Sequence, residues 1–153
     1  MYKKILVPLD ISRTDTRILE HIRPLARFTG AKIILVHVAD GFSARLQSQL
    51  DLSDSEEVLN DRKSLEAAVA MLRAEGFSVH GHLLKGDPVS AILSLAEEEG
   101  CDLIAMATHG HNHLADWFFG SVADGLRHRT GIPILMVSAR IYPPALKKTD
   151  DPL

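Results

Sequence analysis

The stretch AKIILVHVAD, residues 31–40, is a strong signal for a buried strand. A short, continuous apolar run between polar ends is typical of a strand that is buried on both faces of a sheet. Three further runs of this kind are bounded by turn residues: KKILVPLD (3–10), CDLIAMAT (101–108) and GIPILMVSA (131–139). FSVHGHLLKG (77–86) is also interpreted as a strand, because Phe77, Val79 and Leu83 alternate with His80 and His82. The sequence therefore predicts five strands.

Helical signals separate these strands. Apolar residues at helical spacing precede Gly30, which is a typical residue at the end of a helix. Ser53 and Glu56 form a capping-box pair at the start of a second helix. Asp87 followed by Pro88 is an N-cap with a proline in the first turn, and it starts a third helix.

We expect a fourth helix to begin near Gly120-Ser121 and to end at about His128. Strands and helices then alternate along the chain, which predicts an α/β fold: a single open, mostly parallel five-stranded sheet with helices on both faces. Residues 1–140 fill one domain. Residues 141–153 are charged and rich in proline, and we expect them to form a C-terminal tail.

Composition excludes several classes of protein. The 153 residues carry a net charge of -3 and give a pI near 6.2, which argues against a general binder of nucleic acid or anionic membranes. The single cysteine, Cys101, has no partner for an internal disulfide, which suits a cytoplasmic location. No apolar run approaches the roughly 20 residues of a membrane-spanning helix, so we expect no membrane insertion.

Ligands of such sheets bind beyond the carboxyl ends of the strands, where the strand order reverses. This places Asp10, residues 38–40 and residues 107–113 at the candidate site. The chain has neither a GxxxxGK[ST] sequence nor a GxGxxG sequence after the first strand. A standard NTPase or a dinucleotide-dependent dehydrogenase is therefore disfavoured.

Gly110 and the pair Gly120-Ser121 have a spacing that suits a phosphate. Gly110 lets the backbone turn sharply near a ligand, and a helix beginning at Gly120-Ser121 would offer N–H groups and the positive end of its dipole. The nine residues between them allow both elements to face one phosphate group. Asp10 could accept hydrogen bonds from a ribose hydroxyl or help to hold a divalent cation.

Histidines crowd the same segment. His109, His111 and His113 could contact phosphate, hold a metal ion such as Zn²⁺ or Ni²⁺ if the loop is extended, or face solvent. We favour a loop surface or a phosphate contact over a metal site. His37 lies within an apolar run and is interpreted as a core histidine with its hydrogen bonds satisfied.

Four pieces of the sequence together resemble the universal stress protein family: KKILVPLD, ILVHV, THG with nine residues before GSVA, and IPILMV. The resemblance covers residues 2–139. It implies an adenine nucleotide alpha hydrolase-like fold with strand order 3-2-1-4-5 and a homodimer through strand 131–139. It also implies binding of ATP, or of ADP or AMP, with Mg²⁺ or Mn²⁺ on the phosphates.

The family's nucleotide-binding pattern, G-x2-G-x9-G-[S/T], is matched here with Ala107 in place of the first glycine. The resemblance implies three groups of contacts. The adenine and ribose would be bordered by Pro8, Leu9, Asp10 and the backbone of Val38. The ribose and phosphate would be wrapped by Met106, Ala107, His109 and Gly110. The phosphates would be received by Gly120, Ser121, Val122 and Ala123.

The leading hypothesis is therefore a cytoplasmic, dimeric stress-response sensor or signalling module that binds ATP with a divalent cation. A nucleotide-free dimeric scaffold of the same fold is the alternative, and its protein partner is not identified. A slow nucleotide hydrolase that uses His109 as general acid or base is a third hypothesis. Since the motif supplies neither a P-loop lysine nor an arginine finger, no catalytic residue is assigned and we expect slow hydrolysis at most.

Overall fold

The computed structural model describes residues 1–39, 56–108 and 113–138, with the backbone alone at residues 113–120. Within these residues, strands and helices alternate as predicted. The strands are β1 (Lys4–Pro8), β2 (Lys32–Ala39), β3 (Val79–Lys85), β4 (Leu103–Thr108) and β5 (Ile134–Ser138). The helices are α1 (Thr14–Thr29), α2 (Glu56–Ala74), α3 (Pro88–Glu99) and α4 (His113–Arg129). Each strand lies inside the apolar run that predicted it.

The five strands form one parallel sheet in the order β3-β2-β1-β4-β5. This confirms the predicted strand order. Strand β1 is central: Leu6 lies opposite Ile34 of β2 on one side and Ile104 of β4 on the other. The chain builds outward from β1 to β3 and then returns to the other side of β1. The order therefore reverses between β1 and β4, which is where a parallel sheet of this kind opens a ligand crevice.

Both faces of the sheet are covered by helices. Successive strand residues point to opposite faces, so Ile5 and Val7 join the core beneath α1 and α2, whereas Leu6 joins the core beneath α3 and α4. All three side chains are fully buried. The predicted arrangement of helices on both faces is confirmed.

Two predicted helix boundaries are confirmed by their caps. Gly30 ends α1 with a φ of 68°, and its N–H donates to the carbonyl of Ala26. The carboxylate of Asp87 accepts a hydrogen bond of 2.9 Å from the N–H of Ser90, and Pro88 occupies the first turn of α3. Ser53, the predicted cap of the second helix, lies outside the described residues.

The predicted start of the fourth helix was wrong. Helix α4 begins at His113, well before Gly120-Ser121. Residues 113–119 contain neither glycine nor proline, so nothing in them stops a helix, and a single internal glycine costs only about 1 kcal/mol. The backbone N–H groups of Gly120 and Ser121 therefore lie inside a helix, where such groups donate to carbonyls four residues earlier.

Cys101 is buried just before β4. Burial, together with the nearby charge of Glu99, raises the pKa of the thiol from 9.0 to about 11. Because the thiolate is the reactive form, we expect labelling by iodoacetamide at pH 8 to be about 100-fold slower in the folded protein than in urea. Mass spectrometry of timed samples measures both rates, and similar rates would contradict the buried, inert thiol.

Candidate functional site

A narrow apolar cleft lies at the carboxyl edge of the sheet, beside the switch point. Its walls come from β1, β2, α3 and α4, and they consist of Pro8, Leu9, Val36, Val38, Pro88, Ile92 and Val122. The cleft encloses about 10 Å³, which is roughly the room that one water molecule needs. In this form of the protein the cleft is nearly closed.

The cleft brings together four of the residues assigned to the site from the sequence: Pro8, Leu9, Val38 and Val122. Asp10 follows Leu9 directly and is half-buried. The structure therefore places the expected neighbours of adenine and ribose next to one another.

The other assigned residues lie elsewhere. Met106, Ala107 and Ala123 are buried in the two cores and do not line the cleft, so any ligand contact they make is through the backbone. Ser121 is exposed, and Gly120 lies within α4. The predicted positions His109 and Gly110 fall outside the described residues, as does His111, and the side chain of His113 is not described.

Asp10 lies in a tight turn between β1 and α1. Its carboxylate accepts hydrogen bonds from the N–H of Ser12 at 3.0 Å and from Thr14 Oγ1, which lies 3.2 Å from each oxygen. The next residue, Ile11, has a φ of 59°. A β-branched residue rarely adopts this left-handed conformation, which costs about 1–3 kcal/mol. The turn is therefore strained at the edge of the candidate site.

Asp15, in the first turn of α1, contacts the same turn. Its Oδ1 accepts from the N–H of Asp10 at 3.1 Å, and its Oδ2 accepts from the N–H of Ser12 at 3.3 Å. Burial and the neighbouring Asp10 carboxylate raise the pKa of Asp15 to about 8. Since like charges in contact disfavour double ionisation, Asp15 keeps its proton at neutral pH.

His37 anchors the other side of the turn. Its Nδ1 lies 2.9 Å from the carbonyl oxygen of Leu9, and its Nε2 lies 3.2 Å from Asp61 Oδ2 on α2. Each ring nitrogen therefore has an acceptor within hydrogen-bond distance. His37 is partnered, as expected, but it is partly exposed and does not belong to the core.

The His37–Asp61 contact predicts a measurable coupling. We expect His37→Ala and Asp61→Ala to destabilise the protein, and the double variant to lose less than the sum, with a coupling of roughly 0.5–3 kcal/mol. Urea denaturation of the four proteins measures it. His80→Ala, an exposed histidine on β3, is the matched control and should leave stability nearly unchanged. Strict additivity of the His37 and Asp61 effects would contradict the coupling.

Four residues at the site were missed by sequence reasoning. Pro88 and Ile92 come from the first turns of α3, and this was foreseeable, because a helix that follows a parallel strand begins at the same edge of the sheet. Val36 belonged to a recognised strand, but its side chain could not be assigned to the cleft. Asp15 was not assigned to the site, and its contact with Asp10 depends on the conformation of Ile11.

The metal hypothesis for His109, His111 and His113 stays untested, because their side chains lie outside the described part of the chain. Among the described side chains, no group of three or more His, Cys, Asp or Glu residues is arranged to hold a metal ion. His109, His111 and the His113 side chain are not among those described. Across the same ranges, no helix combines the length and apolar character that crossing a membrane requires.

The fold is that of an open parallel α/β protein, with an adenine nucleotide alpha hydrolase-like arrangement of its strands. Residues 1–138 match the model of the universal stress protein family. The chain belongs to this family.

Relatives support the assignment over nearly the whole length. Universal stress protein MJ0577 from Methanocaldococcus jannaschii is 29% identical, over 92% of this chain and 97% of its own. The solved structure of MJ0577 superposes with a TM-score of 0.75 at 30% identity, covering 90% of this chain and 96% of that one. A universal stress protein from Archaeoglobus fulgidus, solved in complex with dAMP, gives a TM-score of 0.66 at 25% identity, with 88% and 97% coverage.

Proposed function

We propose that this chain binds an adenine nucleotide at the β1–β4 switch point and acts as a dimeric stress-response sensor in the cytoplasm. The observation that carries the proposal is the apolar cleft lined by Pro8, Leu9, Val38 and Val122, with the Asp10 carboxylate at its edge. Apolar walls suit a flat base, and a carboxylate accepts hydrogen bonds from ribose hydroxyls. The dAMP complex of the Archaeoglobus fulgidus relative supports the same class of ligand.

The favoured nucleotide is ATP, with ADP and AMP as alternatives, and Mg²⁺ or Mn²⁺ would bind to its phosphates. Adenine would lie against the cleft, and the phosphates would extend toward Gly120-Ser121. No catalytic residue is proposed, and hydrolysis is expected to be slow at most.

Nucleotide binding at this site requires a local rearrangement. The N–H groups of Gly120 and Ser121 can turn to phosphate only if the first two turns of α4 open, because those N–H groups lie inside the helix. We expect amide hydrogen exchange in residues 113–121 to change when ATP is added.

Mass spectrometry of ligand released from freshly purified protein tests the proposal directly. The expected result is an adenine nucleotide in a fixed ratio to protein, or, after its removal, saturable ATP binding in calorimetry. GTP, at the same concentration and charge, is the control for non-specific phosphate binding. If no nucleotide is released and none binds in calorimetry, the proposal fails.

The nucleotide-free scaffold is the second candidate function. The position of Gly120-Ser121 within α4 favours it. It predicts that Gly120→Asp leaves dimerisation unchanged and that stability does not respond to added ATP. A rise in melting temperature with ATP concentration would instead favour the sensor.

The proposed dimer uses β5. This strand lies at the edge of the sheet, pairs with β4, and exposes 52% of Met136. An apolar edge strand invites pairing with another strand, and a lysine at the edge disfavours it. Light scattering at about 50 μM, where dimers of moderate affinity persist, should show a dimer for the native chain and a monomer for Met136→Lys. A monomer for both proteins would rule out this interface.

A further inference from the structure

We propose that Asp15 is a positioning residue for the nucleotide site: its carboxyl group clamps the turn that carries Asp10 and so fixes the direction in which the Asp10 carboxylate points. The inference rests on the proposed function, because the direction of Asp10 matters to a ligand only if the site binds nucleotide.

The clamp consists of two hydrogen bonds that flank the strained residue. Asp15 accepts from the N–H of Asp10, before Ile11, and from the N–H of Ser12, after it. Ile11 is held between them at a φ of 59°. A conformation that the residue itself disfavours persists only where its surroundings enforce it, and these two bonds act together with the 3.0 Å bond from the N–H of Ser12 to Asp10 Oδ1.

The backbone N–H of Ser12 donates to both carboxyl groups, that of Asp15 and that of Asp10. The N–H of Ser12 lies 3.0 Å from Asp10 Oδ1 and 3.3 Å from Asp15 Oδ2. If Asp15 is removed, the turn loses both bonds, and Asp10 keeps only its own contacts with Ser12 and Thr14. The position of the Asp10 carboxylate therefore depends on a residue that is not expected to touch the ligand.

The charge of the pair also matters to an anionic ligand. Asp10 is the charged group that acts on Asp15 among the described residues. From β2, His37 reaches the preceding carbonyl, that of Leu9, and His37 is itself paired with Asp61 of α2. While Asp15 holds a proton, the turn presents one negative charge to the nucleotide rather than two.

Two variants separate these effects. Asp15→Asn keeps one carbonyl acceptor, and so one of the two clamp bonds, but cannot ionise, whereas Asp15→Ala removes the clamp. We expect ATP affinity at pH 7.5 to stay within about threefold for Asp15→Asn and to fall about tenfold for Asp15→Ala, the loss typical of one or two hydrogen bonds. Glu98→Ala, at an exposed position on α3, is the control and should not change affinity.

The dependence of ATP affinity on pH distinguishes a role of Asp15 in the nucleotide site from a purely structural role. Between pH 7.5 and 9 the phosphates are already ionised, so a change in affinity reports on the protein. We expect ATP affinity of the native chain to fall at least about threefold over this range as a second charge develops, and that of Asp15→Asn to stay level. A flat native profile, or parallel profiles for the two proteins, would overturn the proposal.

Ile11→Gly tests the clamp itself, because glycine adopts a positive φ without strain. In this background Asp15→Ala should cost less than about threefold in ATP affinity rather than tenfold. An undiminished loss would show that Asp15 does not act through the turn. If the native chain binds no nucleotide, the proposed function fails. If it binds and Asp15→Ala binds equally well, the proposed function stands and this inference fails.

Discussion

Asp10→Ala is expected to weaken ATP binding about 10- to 100-fold. A hydrogen bond to an ionised carboxylate contributes about 1.5–3 kcal/mol, and each 1.4 kcal/mol is a factor of ten in affinity. Asp10 is half-buried and lies beside the apolar cleft, so solvent replaces its contact with ribose only in part. Isothermal titration calorimetry of the native and variant proteins measures the difference.

The ligand can be altered as well as the protein. Titrating 2′-deoxy-ATP and 3′-deoxy-ATP identifies the hydroxyl that Asp10 accepts from. The native chain should bind one of them more weakly than ATP, and Asp10→Ala should bind that analogue and ATP equally. Comparing the two proteins with the two ligands separates the hydrogen bond between Asp10 and the ribose from any general effect of the substitution on binding.

The control must allow for the structural role of Asp10. Thr14→Val removes a hydroxyl that donates to Asp10 but leaves the carboxylate in place, so it should change affinity far less than Asp10→Ala does. If Thr14→Val is equally harmful, or if neither deoxy analogue discriminates between native and variant protein, Asp10 does not bind the ribose.

The fold could be predicted from the sequence because its signals are local. Buried parallel strands are short apolar runs, and caps such as Gly30 and Asp87 have side-chain requirements that a single sequence reveals. The strand order was predicted from the family resemblance, because the spacing of strands along the sequence does not show which strands pair, such as β1 with β4.

The start of α4 shows where local signals mislead. Gly120-Ser121 has the composition of a helix start, yet the helix begins at His113. Glycine both caps helices and is tolerated inside them at modest cost. The choice between these roles depends on how residues 113–119 pack, which composition does not specify.

The position of the candidate site could be predicted from the sequence, but the contacts within it could be predicted only in part. The carboxyl ends of β1 and β2 could be located, and Pro8, Leu9 and Val38 do converge there. The partnership of Asp15 with Asp10 could not be foreseen, because it depends on the positive φ of Ile11. Isoleucine gives no sequence signal for that conformation, whereas a glycine at the same position would have suggested it.

Asp15→Asn is expected to gain stability over the native chain as the pH rises. The pKa of Asp15 is about 8 in the folded protein against 3.8 for an ordinary aspartate. Between these values the folded chain holds a proton that the unfolded chain does not, so the free energy of unfolding falls as pH increases. Where the difference in bound protons is complete, the slope is about 1.4 kcal/mol per pH unit.

Urea denaturation of both proteins from pH 5 to pH 9 measures the effect. The difference in free energy of unfolding between Asp15→Asn and the native chain should move in favour of the variant by more than about 2 kcal/mol between pH 5 and pH 8, and level off above pH 8. Other titrating groups are common to both proteins and cancel in the difference. Glu98→Gln, at an exposed carboxylate, should give a difference that is flat over the same range.

A flat difference for Asp15→Asn would mean that Asp15 is already ionised at pH 5 and that the pair carries two charges at neutral pH. The expected slope has a further consequence. It means that between pH 5 and pH 8 the native aspartate loses a stabilisation of the folded protein that an amide at this position does not lose. Groups that cost stability and titrate near neutral pH concentrate at functional sites. The pair of carboxyl groups at the Asp10 turn is therefore better explained by what it presents to a ligand than by what it contributes to the fold.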